Sequence, residues 1–396
     1  MDNVNWRRNL YVLWFGTFMN GATFSMIIPF IPLYINELGD FTTVQLTFWS
    51  GAVFSVTFLA MAVVSPWWGR LADRYGRKPM LLRASLGMGI VIFLTGFAVN
   101  VYQLLVLRLI LGLLSGFKSN AIALMAVAAP KDKAGQVLGT LSTGSVAGTL
   151  IGPLLGGVVA EFFGYRPAFF ISGTVLFLVF LLSLTQVREV FVPQVVQAEK
   201  DKHFSFFRQL KNPRIIVAML LTTMIIQTTN TSINPILTLF VKQIMNHEGN
   251  IAITTGVIAA LPGLSALVAA PLFGRLGDRI GNQKILIAGL CFSILVYVPM
   301  AFATQIWQLA ILRFFVGIAD AALLPSVQAL LSKNSPDECT GRIFSYNQTA
   351  QSSGNVLGPL VGSSVSGMLG FPAVFIATSI FALVNLGIVK KLGNKQ

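Results

Sequence analysis

The sequence predicts an all-α membrane protein: twelve transmembrane helices in two pseudo-symmetric six-helix halves. Three observations carry that prediction. Of 396 residues only 11% are charged while 55% are hydrophobic, against about 25% charged in soluble domains, so water-facing surface cannot be covered. Apolar runs of about 20 residues recur, each long enough to cross ~30 Å of hydrocarbon as a helix. Finally, the basic stretch GRLADRYGRKPML (Gly69–Leu81) returns as GRLGDRIGNQKIL (Gly274–Leu286), 205 residues later. A transmembrane β-barrel would need short alternating segments instead.

The apolar runs follow in order at 10–35, 48–67, 80–99, 102–129, 135–162 and 167–187. A polar stretch intervenes, and further runs lie at 215–241, 251–273, 285–303, 306–332, 343–369 and 373–389. The expected organisation is therefore a six-helix bundle at 1–187, a linker at 188–213 and a second bundle at 214–396. Glu189, Pro193, Glu199, Lys200, Asp201, Lys202, Arg208 and Lys211 make the middle stretch read as solvated.

Charge orients the chain. Of 28 Lys and Arg residues, 23 fall at the termini, the linker and the loops on one side, and only Arg166 and Lys242 on the other. Positive loops stay cytoplasmic, so both termini and the linker are expected there, in a plasma (inner) membrane protein. The net charge of +14 then reflects topology and anionic lipid rather than nucleic acid.

Other classes fare poorly. Cys291 and Cys339 are too few for a disulfide framework or a metal cluster, and no metal or cofactor is expected. His203 and His247 lie between apolar runs, which excludes an intramembrane histidine relay. Trp6-Arg7-Arg8 precedes a first run too long for a signal peptide. Phosphate-loop, zinc-protease and nucleophile-elbow patterns are missing from the sequence, which argues against a membrane enzyme.

The duplication reaches beyond the basic stretch. At offset 205, Gly51 matches Gly256, Pro66 matches Pro271, Arg108 matches Arg313 and Gly112 matches Gly317. At offset 206, Pro29 matches Pro235, Gly152-Pro153 matches Gly358-Pro359 and Phe169 matches Phe375. Parallel repeats of this kind put a binding site near the bilayer midplane, where alternating access exposes it to each side in turn.

These residues carry a family resemblance. GRLADRYGRKPML resembles the loop signature of the major facilitator superfamily, LLVLRLILGLLSG (Leu104–Gly116) its fourth-helix motif, and GSVAGTLIGPLLGG (Gly144–Gly157) its antiporter motif. WRRNL, LGTLSTGSVAGTLIGP and GRIFSYNQ (Gly341–Gln348) resemble the MdtG-like and PmrA-like multidrug efflux branch of its drug:proton antiporters. The resemblance implies the major facilitator fold and proton-driven export of small amphipathic substrates, with the proton gradient as sole energy source. A monomer in the lipid bilayer is the expected state. Export of a specific metabolite, sugar or lipid by the same fold is the alternative.

The resemblance also implies roles. Gly69, Asp73, Arg74, Gly76 and Arg77, with Gly274, Asp278 and Arg279, would form a cytoplasmic gate in which the aspartate meets a helix N-terminus or a basic partner. Such a contact is worth ~0.3–1 kcal/mol, up to ~2 when partly buried, a fitting size for a latch. Plain topogenic charge explains the Arg and Lys residues but not the repeated Gly-x-x-x-Asp spacing. Gly148, Gly152, Pro153 and Gly156 would form the fifth-helix antiporter seam, and Arg108 would assist proton coupling.

Asp320 stands out on physical grounds alone. It is the only acid deep within a span, seven residues after Arg313 on the same helical face. A charge there costs at least ~2.5–3.5 kcal/mol and calls for a partner or a task. It is the first candidate proton carrier; a static pair with Lys118 or Arg313 is the competing reading. Lys118 would suit a zwitterionic or anionic substrate. Asn20, Gln227, Asn230, Asn234, Asn347 and Gln351 are candidate polar handles in an apolar substrate cavity, or else interhelical hydrogen bonders. If the Gly69–Leu81 stretch gates rather than binds, replacing Asp73 lowers the transport rate more than substrate affinity. An unchanged rate with lost affinity in vesicle assays refutes that division.

Overall fold

The computed structural model describes residues 6–130, 133–189, 213–246, 249–335 and 340–393, with the side chains of Asp73, Ala134, Gly135, Thr340, Gly341, Arg342, Leu392 and Gly393 outside that description. Most of the expected linker (190–212), His203, His247 and Cys339 thus lie outside the described residues. Every regular element is helical. In order these are α1 (Trp6–Ile27), α2 (Ile31–Glu37), α3 (Thr43–Tyr75), α4 (Arg77–Thr95), α5 (Val101–Leu114), α6 (Phe117–Ala128), α7 (Ala134–Phe163) and α8 (Tyr165–Gln186). Then follow α9 (Pro213–Ser232), α10 (Asn234–Ile244), α11 (Ile251–Ile280), α12 (Asn282–Met300), α13 (Ile306–Asn334), α14 (Thr340–Leu369) and α15 (Phe371–Gly393).

With α1–α2, α5–α6 and α9–α10 each counted as one span, eleven among the described residues are long and apolar enough to cross a membrane. The twelfth expected span, α14, is long enough but falls outside that set. Asn347, Gln348, Gln351, Ser352, Ser353 and Asn355 lower its hydropathy.

Two helix breaks repeat. The first span bends through a 3-10 turn at Ile28–Phe30, and the seventh bends at Ile233. Pro29 and Pro235 explain both, since each removes a backbone donor and fixes its own φ.

The basic stretches are not loops. The helix α3 runs on to Tyr75 and α4 starts at Arg77, so Gly76 alone lies between them. Likewise Gly281 alone separates α11 from α12. Both glycines have left-handed backbone, φ 99° and 101°, where a side chain would be strained. The apolar runs end well before the helices do, because solvated charges are compatible with helix propagation. Gly69 and Gly274 sit inside α3 and α11 with open space where a Cβ would point. Neither makes a close approach to a neighbouring helix.

The fourth span breaks where no break is expected. The helix α5 stops at Leu114, Ser115 is extended (φ −66°, ψ 171°), and Gly116 has φ 127° before α6 begins. Carbonyls freed inside a membrane span need donors. Trp68 Nε1 donates to Leu113 O at 2.7 Å and Arg83 Nη2 to Ser115 O at 3.1 Å. The Arg83 guanidinium also lies 3.5 Å from the Trp68 ring centroid, so the two donors brace each other.

The described residues form two compact units. One lies within Met1–Asp40, Val56–Val196 and Asn250–Ala260, the other within Phe41–Ser55, Gln197–Gly249 and Leu261–Gln396. The helices α3 and α11 therefore contribute to both.

In the first unit, Leu13, Leu81, Phe117, Met125, Leu141 and Val179 make the core. Here α1 packs tightly on α7: a Cβ at Gly148, Gly152 or Gly156 would collide with the carbonyls of Phe18, Ala22 or Met26. In the second unit Ile216, Leu286, Leu323, Val327 and Ile343 are core. There α9 packs on α14 the same way, Gly354, Gly358 and Gly362 meeting the carbonyls of Met224, Thr228 and Ser232. Many large apolar side chains point outward instead, among them Phe302, Val268 and Leu59, as a lipid-facing surface requires.

A Gly152→Val exchange is expected to cost about 1–3 kcal/mol by overpacking against Ser25 and Ala22. Gly139→Ala, where a Cβ meets open space, is the control. Equal thermal unfolding temperatures for the two variants in detergent would be incompatible with this contact.

Candidate functional site

Among the described residues, each unit holds one arginine buried in an apolar helix. In the first unit Arg108 of α5 is 5% exposed, with its guanidinium 5.7 Å from the Phe169 ring centroid. Its Nε and Nη2 have no hydrogen-bond partner among the described residues. Tyr34 lies within electrostatic reach of it and spends its own hydroxyl on Thr95 O at 2.7 Å. The rings of Tyr34 and Phe169 sit 4.7 Å apart, and their repeat-mates Phe240 and Phe375 sit 5.3 Å apart in the second unit.

In the second unit Arg313 is buried on α13, and Asp320 lies half-buried on the same helix. Asp320 accepts a side-chain hydrogen bond from Asn230 of α9, within electrostatic reach of Arg313. Tyr297 of α12 donates to Asn230 Oδ1 at 3.4 Å, which aims the amide N–H groups at the carboxylate. Three residues on three helices thus surround one acid. Asp320 is also the repeat counterpart of Ser115, at the same offset that relates Arg108 to Arg313. Where the first unit breaks its helix, the second keeps the helix and carries a carboxylate.

The other polar candidates separate. Gln227 Nε2 donates to Asn355 Oδ1 at 2.7 Å, and Asn347 Oδ1 accepts from Thr223 at 2.7 Å. Both tie α9 to α14, as interhelical hydrogen bonds do. Asn20 reaches Met88 Sδ at 3.8 Å. Asn234 and Gln351 are half-buried, and Lys118 is exposed at the start of α6.

Around Gly76 the basic residues are already engaged. Arg77 Nη1 donates to Ala123 O at 2.7 Å and Lys78 Nζ to Leu184 O at 3.1 Å. Glu189 spans the N-terminus of α4, accepting from the backbone N–H groups of Arg77 and Lys78 at 2.9 and 2.7 Å. The linker thus begins as a built contact rather than a solvated chain. Asn9 adds a reciprocal pair with the backbone of Arg188, at 2.7 and 3.1 Å. Glu161 of α7 does the same for α11, accepting from Ala252 N at 3.1 Å. Carboxylates at helix N-termini satisfy orphan donors and the helix dipole together. Arg74 stacks on Tyr75, 5.3 Å to the ring centroid, while Asp278 and Arg279 are exposed at the end of α11. No group of three or more metal-ligating side chains converges among the described residues.

Long apolar helices in duplicated halves, with single ionisable groups inside them, define a multi-pass membrane transporter of small molecules. The chain belongs to the major facilitator superfamily, whose family model matches residues 13–248 and 219–392. That is a family of transporters rather than enzymes.

It is 53% identical over 385 residues to Multidrug resistance protein MdtG of Escherichia fergusonii, covering 97% of this chain and 94% of that protein. It is 51% identical over 386 residues to the MdtG protein of a Rahnella species, covering 98% and 93%. Among solved structures, a bacterial homologue of the human lysosomal transporter Spinster superposes with TM-score 0.79 at 15% identity, covering 97% of this chain and 96% of that one. The nucleoside transporter NupG gives TM-score 0.80 at 14% identity, covering 98% and 99%. At these identities the likeness concerns the fold alone.

Glu189→Gln keeps the shape but loses the charge that caps α4. A destabilisation of about 1 kcal/mol is expected, read as a lower thermal unfolding temperature in detergent. An unchanged temperature would remove the cap from the account of stability.

Proposed function

We propose that this protein is a proton-coupled antiporter that exports amphipathic drugs across the bacterial plasma membrane by alternating access. The observation that carries the reading is Asp320: a lone acid within a spanning helix, held by Asn230 and approached by Arg313. An acid that binds one proton on one side and releases it on the other supplies the coupling, and the proton gradient is the only energy source needed. The drug class rests on the multidrug-resistance relatives, about half identical along nearly the whole chain.

In this reading Asp320 carries the proton and Arg108 assists coupling. Lys118, Asn20, Asn230, Asn234 and Gln351 are the polar handles of the cavity, while Gln227 and Asn347 are spent on the α9–α14 seam. Gly148, Gly152, Pro153 and Gly156 form the antiporter seam. The stretches Gly69–Arg77 and Gly274–Arg279 gate the cytoplasmic side, with Asp73 and Asp278 as latch acids. Residues 1–187 and 214–396 act as the two moving bundles, joined by 188–213, with both termini cytoplasmic and a monomer as the working unit. The exposed ammonium of Lys118 supports substrates that bear an acidic group.

Asp320→Asn should abolish export driven by a pH gradient in proteoliposomes and leave substrate binding intact. Full proton-driven transport by that variant would sink the assignment.

A further inference from the structure

A small cavity adjoins Asp320. Thr229, Asn230, Ser293, Tyr297, Asp320 and Asn385 provide its polar rim, and the remainder of its wall is aliphatic. The volume open to the centre of a water molecule is about 10 Å³, close to the roughly 10–15 Å³ that one water requires.

The rim has spent its hydroxyl protons. Thr229 donates to Ile225 O at 2.7 Å, Ser293 to Gly289 O at 2.8 Å and Tyr297 to Asn230 Oδ1 at 3.4 Å. Asn385 of α15 is 0% exposed, yet its Oδ1 has no hydrogen-bond partner. Its Nδ2 faces Thr222 O at 3.5 Å, which leaves the oxygen as the amide's free end. A buried acceptor left unpaired keeps its desolvation penalty, and folded proteins resolve such orphans with ordered water. Apart from the amide N–H groups of Asn230 and Asn385, which face Asp320 and Thr222 O, what remains on the rim is a set of acceptors: the carboxylate, Asn385 Oδ1 and the lone pairs of the hydroxyls. The occupant must therefore donate hydrogen bonds.

We infer that this cavity binds a single water molecule between Asp320 and Asn385, and that Asn385 is a positioning residue for the proton Asp320 carries. The inference rests on the reading of Asp320 as proton carrier. With Asp320 ionised, the water donates one hydrogen to the carboxylate and the other to Asn385 Oδ1. With Asp320 protonated, the carboxyl O–H donates to the water oxygen, and the water turns to donate to Asn385 and to Ser293 Oγ. Asn385 accepts in both states. Neither protonation state then leaves a bare polar group in the apolar interior. Among the described residues, the charged and titratable groups facing Asp320 in this unit are Arg313 on its own helix and Tyr297 on α12.

The test is infrared difference spectroscopy of the full chain in lipid across a pH jump. A water O–H band that shifts in H₂¹⁸O is expected in the wild type, absent in Asp320→Asn and displaced in Asn385→Leu. In proteoliposomes Asn385→Leu should slow proton-driven export about tenfold, as a misplaced reacting group does, with substrate counterflow unchanged. Asn385→Ser, which keeps an acceptor and room for water, should recover most of the rate. Wild type without an ¹⁸O-sensitive band overturns the inference even if Asn385→Leu fails to fold. Wild-type export by Asn385→Leu overturns it as well, and so does a sodium gradient that drives export while abolishing the band. Should Asp320→Asn be inactive while no water band exists, the carrier assignment stands and only the water falls.

Discussion

Hydrocarbon offers no hydrogen bonds, so every backbone group inside it must find a partner within the protein. Much of this structure follows from how that demand is met wherever a helix starts, stops or breaks. Glu189 meets the first donors of α4, and Glu161 meets a donor of α11. Trp68 and Arg83 serve the carbonyls released at the break in the fourth span. Arg83 and Glu161 are thus spent at positions where backbone would otherwise be bare, whereas Arg108, Arg313 and Asp320 are not.

The same constraint explains the glycine rows. With lipid as solvent there is little hydrophobic gain from bringing helices together, so close contact and dispersion must hold them. Gly148, Gly152 and Gly156 admit α1 to α7 up to backbone contact, and Gly354, Gly358 and Gly362 admit α9 to α14. The polar pairs Thr223–Asn347 and Gln227–Asn355 lie on the second of these seams. They belong to that packing, which distinguishes them from the small group around Asp320.

Architecture was the most legible part of the sequence, because hydropathy and duplication act over long stretches. Asp320 was legible too, as the one acid deep within an apolar run, and so was Asn230 as a polar residue in another. The helix ends at Gly76 and Gly281 do not follow from apolar periodicity, which ends where lipid ends, whereas a helix stops only where its backbone must turn. The break at Ser115–Gly116 had no proline to announce it. Glu189 looked like part of a solvated linker, for nothing local says that its carboxylate meets a helix start 112 residues earlier in the chain. Asn385 carries no signal in the sequence, being one asparagine in a terminal apolar run; only three-dimensional packing shows that it lines Asp320's cavity and that its oxygen is buried without a partner.

The interrupted fourth span bears on biogenesis. As that span leaves the ribosome and meets the membrane, its two half-helices expose the carbonyls of Leu113 and Ser115 to lipid. Trp68 and Arg83, which cover those carbonyls, both precede it in the chain. The donors have therefore been synthesised, and can already stand in the bilayer, before the acceptors arrive. Vectorial synthesis from the N-terminus supplies the brace ahead of the fracture, and a permuted chain that made α5 and α6 first would insert them without it.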